Sequence, residues 1–165
     1  YRPESGVPTT LARQLAQYVV IYSPLQMAAD LPENYEGQPA LKFIEDVPVD
    51  WDTTIAVNGE IGAYVTIARK DRHSADWYLG SVTDEEERVL DIPFSFLDES
   101  FEYVAEIYRD GPAASWQENN EVLVMETRLV EAGTSYRVQL APGGGLAIRF
   151  RPAGEDERAT MERLP

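Results

Sequence analysis

Three stretches of strict alternation, over residues 90–96, 135–140 and 146–151, are the strongest constraint on what this chain folds into. Leu90, Ile92, Phe94 and Phe96 alternate with Asp91, Pro93 and Ser95; Tyr136, Val138 and Leu140 alternate with Ser135, Arg137 and Gln139; Leu146, Ile148 and Phe150 alternate with Ala147, Arg149 and Arg151. A period of two sends successive side chains to opposite faces of a sheet, so one face is buried and the other wet, which is the habit of antiparallel strands. Less regular strand patterns lie at residues 63–69, 77–82, 103–109 and 121–130. The fold class predicted is therefore mainly β, with an antiparallel β-sandwich of roughly 100 residues over residues 52–151. Residues 152–165, "PAGEDERATMERLP", are charged and aperiodic, and a disordered tail is expected there.

Upstream of Trp51 the grammar differs. Pro8 stops any earlier helix, Thr9 or Thr10 is placed to cap, and Leu11, Leu15, Tyr18 and Tyr22 recur on one helical face, widened by Ala12, Ala16 and Val19. Pro24 ends that helix. Leu25 to Ala29 then form a short apolar run of the kind expected for a strand buried on both faces, and residues 39–47 read as a second helix. A strand of that type needs neighbours, and this region supplies one strand only. Either the chain oligomerises through it, or it is the surviving end of an α/β domain, and a first residue other than methionine suits a piece cut from something longer.

Composition narrows the partners. The formal charge of −15, from 29 acidic against 14 basic residues, repels nucleic-acid phosphates and anionic lipid, so no nucleic acid and no membrane insertion are expected. No run approaches the roughly 18 apolar residues of a membrane span. Lys42 and Lys70 are the only lysines, a balance that fits a high-salt habitat or an ordinary acidic domain equally. With no cysteine, disulfides, thiolate catalysis and cysteine metal sites are excluded.

The run "TTLARQLAQYVVIYSPLQMAADLPENYE", followed by "FIEDVPVDWD", "GAYVTIARK", "DWYLGSVTDEEER" and "APGGGLAIRF", closely resembles the C-terminal part of glycoside hydrolase family 97, from about residue 9 to 151. The resemblance implies a large bacterial exo-acting α-glucosidase or α-galactosidase with a catalytic (β/α)8 barrel before a C-terminal sandwich. On it, residues 1–51 are the last helix, strand and helix of a truncated barrel, with 23–29 as the eighth strand. It implies as partners the N-terminal and catalytic domains of the same polypeptide and an α-linked oligosaccharide, and a periplasmic or extracellular location. Hydrolysis of a glycosidic bond needs two carboxyl groups held across it. The resemblance puts these, and the glutamates for calcium, upstream of Tyr1, so this chain alone is expected to be inactive, with no cofactor of its own.

Few residues here are placed to touch sugar. Asp30 follows the expected eighth strand, on the face where barrel active sites lie, and Gln26 lies along it; both are candidate substrate-binding residues. The competing reading has Asp30 capping the loop "DLPENYE" and Gln26 bonding within the wall, while Glu33 and Glu36 read as solvated loop carboxylates. His73, the only histidine, sits in a polar loop and supports neither a triad nor a multi-histidine metal site. "TDEEER", residues 83–88, lacks calcium-loop spacing, and "APGGGL" lacks the lysine of a phosphate loop. Trp51, Trp77, Tyr78, Tyr108 and Trp116 open an alternative, a stand-alone carbohydrate-binding module, for which an exposed aromatic row is required; Trp116 is the one expected at the surface.

Overall fold

Alternate side chains along the strands meet between two antiparallel sheets, and helices close the outer face of the larger one. The computed structural model describes residues 7–165, so the part of the expected barrel segment before Val7 lies outside the described residues. The strands are β1 (Trp51–Glu60), β2 (Tyr64–Asp71), β3 (Trp77–Thr83), β4 (Arg88–Pro93), β5 (Tyr103–Asp110), β6 (Leu123–Val130), β7 (Ser135–Leu140) and β8 (Gly145–Pro152). Six form one sheet in the order β1-β2-β3-β8-β5-β6, and β4 pairs with β7 in a second. Every ladder is antiparallel. Around them lie α1 (Leu11–Val20), α2 (Pro32–Tyr35), α3 (Leu41–Asp46) and α4 (Glu155–Thr160).

The first core fills the sandwich. Leu90, Ile92, Val138 and Leu140 from the small sheet, with Phe94 just beyond β4, meet Trp77, Leu79, Ile107, Leu146, Ile148 and Phe150 from the large one. Phe94 meets Phe150 edge-on at 4.9 Å, an orientation that sets ring edge against ring face. The second core lies on the opposite face, where Leu15, Ala16 and Val19 of α1 and Phe43 of α3 cover Trp51, Tyr78, Tyr108 and Ala147. Central strands β3 and β8 are thus buried on both sides. The molecule has three layers, and the polar face expected of residues 146–151 is largely covered: Ala147 lies beneath helix, while Arg149 bonds Asp46 at 2.6 Å and Asp76 at 2.9 Å.

Helix α1 approaches the sheet closely because glycine lies beneath it. A Cβ on Gly80 would stand 2.5 Å from the Ala16 carbonyl oxygen, and one on Gly145 would stand 2.7 Å from Arg13 Cα. The face turned inward is therefore the small one. Ala12, Leu15, Ala16 and Val19 are buried, whereas Leu11 and Tyr18 are half-buried and Tyr22 is exposed, which rotates the expected stripe toward the alanines.

Both ends of α1 are tied down. At the N-terminus the Thr10 hydroxyl accepts from the Arg13 amide, the Thr10 amide donates to Gly143 O, and the Leu11 amide donates to Asn120 O. Asp110, buried on β5, orders the same turn by accepting from the amides of Ala141 at 2.8 Å and Gly145 at 2.9 Å. At the C-terminus the buried Arg69 donates to Val19 O at 2.6 Å and Val20 O at 3.4 Å, and to the Thr54 hydroxyl at 2.7 Å. A guanidinium at a helix C-terminus satisfies orphan carbonyls and complements the dipole.

Two expectations are corrected. Residues 25–29 form no strand, because among the described residues no other strand bonds to them; Leu25 and Met27 are 73% and 77% exposed. The tail over 152–165 is ordered rather than loose. Glu157 accepts from the Gly154 amide and from Arg151, whose guanidinium holds the Glu157 carboxyl down at about 2. Past α4 the chain runs along β6, with the Leu129 amide donating to Glu162 O and the Leu164 amide to Leu129 O. Arginine pairing and backbone bonding outweigh the charged, aperiodic composition.

Replacing Gly80 by valine forces α1 off the sheet and is expected to cost about 1–3 kcal/mol in urea unfolding; Gly133→Ala, with nothing within 4 Å of the added carbon, is the control expected to stay within about 0.5 kcal/mol. Asp110 yields a second test. Burial raises its pKa, against the pull of the Thr10 hydroxyl, the Ala141 and Gly145 amides and the Arg109 charge. The native state then holds the proton more tightly than the unfolded chain, so this contribution favours folding at low pH and is lost as pH rises through the raised value. Asp110→Asn keeps an acceptor for both amides and should gain stability relative to wild type as pH climbs from 4 to 7, while Asp110→Ala leaves two buried amides unpaired and should lose about 2–4 kcal/mol. Denaturation midpoints of the three proteins across that pH range check both signs.

Candidate functional site

Where α1 ends, the chain leaves the sheet and exposes apolar side chains in sequence. Ile21, Tyr22, Leu25, Met27 and Leu31 are all exposed, within eleven consecutive positions. Single exposed apolar residues are ordinary, but a contiguous set marks a surface that is covered by something else. The segment is shaped locally: the Ser23 hydroxyl donates to Leu25 O at 2.6 Å, and Tyr18 OH donates to Met27 O at 3.1 Å. Arg69 lies 5.6 Å from the Tyr22 ring, so the clamp that fixes α1 also fixes the start of the apolar surface.

The two sugar-contact candidates lie on this segment. Asp30 is exposed and accepts from the Leu31 amide at 2.7 Å and from Asn34 Nδ2 at 2.7 Å, which caps the turn leading into α2. Gln26 is half-buried and donates to Tyr18 O at 3.2 Å. Neither lines the hollows beside β5–β7, along the β1–β2 hairpin or between Lys42 and Met125, and among the described residues no hydrogen bond joins them. Glu33 lies in the first turn of α2, and it and Glu36 are exposed.

Elsewhere the polar candidates have local partners. His73 Nε2 stands 3.2 Å from Asp50 Oδ2, and Arg72 pairs with the same carboxylate, holding it below its ordinary range. In the acidic turn, Asp84 accepts from the Glu86 amide and from Arg88. Among the described residues no group of three histidine, aspartate or glutamate side chains is gathered as a metal would require, so the residues present do not fit the calcium site of the resemblance. The glycine-rich connection is a tight turn that seats α1, held by Asp110. Trp51, Trp77, Tyr78 and Tyr108 are core residues, and Trp116 is half-buried against Gly143, so the aromatics named for sugar stacking form no exposed row.

Among the hollows in the surface of the described residues, three are well formed. One of about 590 Å³ lies beside β5, β6 and β7, with Arg109, Arg128, Tyr136, Arg137 and Glu126 on its walls. Its arginines are paired: Glu126 bonds Arg109 at 2.9 Å and Arg128 at 3.0 Å, and Arg137 bonds Asp91 at 3.0 Å. A second, of about 610 Å³, lies along the β1–β2 hairpin beside Arg13, and a third of about 280 Å³ separates Lys42 from Met125. Carboxylates line each of them: Glu87, Asp110 and Glu126 the first, Glu60 and Asp84 the second, Glu106 and Glu126 the third.

Asp110 and Arg69 are the residues that sequence reasoning missed. Asp110 ends a strand pattern and looks like any loop acid, although its nearness to "APGGGL" is visible only in three dimensions. Arg69 stood in the strand pattern of residues 63–69 with nothing to mark it as inward-facing.

Comparison with known proteins assigns the chain. The family model described as "Glycosyl-hydrolase 97 C-terminal, oligomerisation" matches residues 50–151. Among curated relatives, a retaining alpha-galactosidase of Bacteroides thetaiotaomicron is 36% identical over 143 residues, covering 86% of this chain and 21% of its own. A probable retaining alpha-galactosidase of Streptomyces bingchenggensis is 26% identical over 156 residues, covering 92% and 23%. Among solved structures, a glycoside hydrolase family 97 enzyme in complex with acarbose, from Pseudoalteromonas sp. strain K8, superposes with a TM-score of 0.86 at 49% identity, over 89% of this chain and 23% of that one. A beta-arabinopyranosidase follows at a TM-score of 0.64 and 26% identity, over 86% and 21%. The chain spans about a fifth of the length of the curated relatives it matches. By these matches, and by the three-layer fold that carries them, the chain belongs to glycoside hydrolase family 97 and is its C-terminal domain.

Proposed function

We propose that this domain supports the catalytic (β/α)8 barrel of an exo-acting α-glycosidase, an α-galactosidase or α-glucosidase, and holds copies of that enzyme together. One observation carries the reading: α1 is an integral part of the sandwich, yet the segment it delivers presents Ile21, Tyr22, Leu25, Met27 and Leu31 to the surface. Barrel strands are buried on both faces, which accounts for an apolar stretch that finds no strand partner among the described residues. Covering it removes apolar area from water at about 25 cal/mol per Å². The share of the relatives matched, about a fifth, leaves room for a barrel and more upstream.

In this reading the carboxyl groups of hydrolysis and any calcium belong to the remainder of the polypeptide, as does the α-linked oligosaccharide. Asp30 and Gln26 then sit at the barrel mouth, where Asp30 is free to exchange its turn-capping role for a sugar hydroxyl. The same reading carries with it a periplasmic or extracellular location, which the resemblance implies. Because the resemblance puts both carboxyl groups that hydrolysis needs upstream of Tyr1, hydrolysis by the domain itself is not expected.

The test compares the 165-residue chain with the same chain extended upstream through a whole barrel, on p-nitrophenyl α-galactoside and α-glucoside with added calcium. Turnover by the extended form alone supports the reading. Turnover by the 165-residue chain contradicts it and places a site among these residues, with Asp30 the first to replace by asparagine.

A further inference from the structure

The two edges of the large sheet are treated differently. β1 carries two register shifts against β2, between Trp51 and Thr53 and between Ala56 and Asn58. Such bulges twist an edge and discourage another strand from pairing with it. β6 is matched to β5 without a shift from Leu123 to Val130, and its sequence, LVMETRLV, has neither proline nor lysine.

The outer groups of β6 are identifiable from its neighbours. Leu129 directs both its amide and its carbonyl away from β5, to Glu162 O and the Leu164 amide. Alternation then turns the backbone groups of Leu123, Met125 and Thr127 to the same side. The tail bonds to Leu129, and Arg128 donates to Thr127 O at 2.9 Å; among the described residues the stretch around Met125 has no further backbone partner on that side. Met125 and Val122, 43% and 39% exposed, flank that opening, and the hollow of about 280 Å³ between Lys42, Tyr108 and Met125 adjoins it.

We infer that this edge pairs with the same edge of a second copy, about a two-fold axis at Met125, to give one continuous antiparallel sheet across the dimer. The inference rests on the oligomerisation reading above and names the surface that serves it. Charge selects the partner. In a chain of net charge −15 two copies repel, yet at β6 Glu126 is paired with both Arg109 and Arg128, so the opposing edges carry little net charge. Register about Met125 sets Leu123 against Thr127, Val124 against Glu126 and Val122 against Arg128, and no like charges face each other; a shift of the axis to Glu126 would oppose two carboxylates. The hollow beside Lys42 receives the partner's Met125.

The chain contains no cysteine, so single thiols report the contact cleanly. Met125→Cys brings two thiols together across the axis at a spacing a disulfide bridges, and under mild oxidation it is expected to yield a covalent dimer as the main product. Ala56→Cys, exposed on β1, is expected to remain monomeric under the same conditions. Met125→Glu, which adds two carboxylates at the axis, should weaken the dimer of the cysteine-free chain at least tenfold in sedimentation equilibrium. A wild-type dimer that Met125→Glu does not weaken, or cross-linking through Ala56→Cys as readily as through Met125→Cys, overturns the surface while leaving oligomerisation standing. A wild-type chain that stays monomeric at all concentrations, with no cross-linking by either variant, overturns both.

Discussion

Everything outside the sandwich is positioned by the seating of α1 on β3 and β8. The contact is backbone against backbone to a degree that only Gly80 and Gly145 permit, and it turns the small face of the helix, Ala12 and Ala16, inward. Close approach alone leaves helix termini unsatisfied. Here the N-terminal amides bond to the 111–122 and 141–144 connections, and the C-terminal carbonyls bond to Arg69. Among the described residues Arg69 has no acidic partner, and burial lowers its pKa, so helix carbonyls and the rings of Tyr22 and Trp51 do the work of a counter-ion. The helix is thereby part of the β-domain in packing, although it reads in sequence as part of something else.

Ion pairs extend the same organisation outward. Arg149 joins Asp46 at the end of α3 to Asp76 before β3, and lies 3.7 Å from Glu106 on β5; Arg151 joins Glu106 to Glu157 of α4. The Tyr78 hydroxyl, whose ionisation burial suppresses, donates to Asp46 O at 2.8 Å. Paired and partly buried, these groups register two short helices that have little intrinsic stability of their own. The consequence is that the segment from Ile21 to Leu31 emerges from a fixed helix and exposes five large apolar side chains on a chain of net charge −15.

Much of the fold was legible because its signals are local. Alternation at residues 90–96, 135–140 and 146–151 located β4, β7 and β8, and Thr10 with the 3–4 spacing after it located α1. The remainder depends on partners distant in sequence. The inward rotation of α1 is set by Gly80 and Gly145, which pattern reasoning saw only as residues of a strand and a turn. The ordering of the tail depends on Arg151 and on the edge of β6, and charge composition alone pointed the other way. The strand expected at 25–29 is apolar as predicted, but strand formation requires a ladder partner, and sequence cannot tell an apolar run that has one from a run that awaits one. Asp30 follows that run and Gln26 lies within it, and their hydrogen bonds are local, to Leu31, Asn34 and Tyr18.

The central claim is that α1 folds and unfolds with the sandwich as one unit. Native-state hydrogen exchange tests it most directly, by comparing the amides of Leu15 to Val19 with those of Leu79 in β3 and Ile148 in β8. The account predicts that the helix amides exchange only through the same global opening as the strands, with the same free energy and denaturant dependence. Exchange of the α1 amides through a smaller, denaturant-independent opening, while β3 and β8 stay protected, would show that the helix is a detachable appendage and would contradict it.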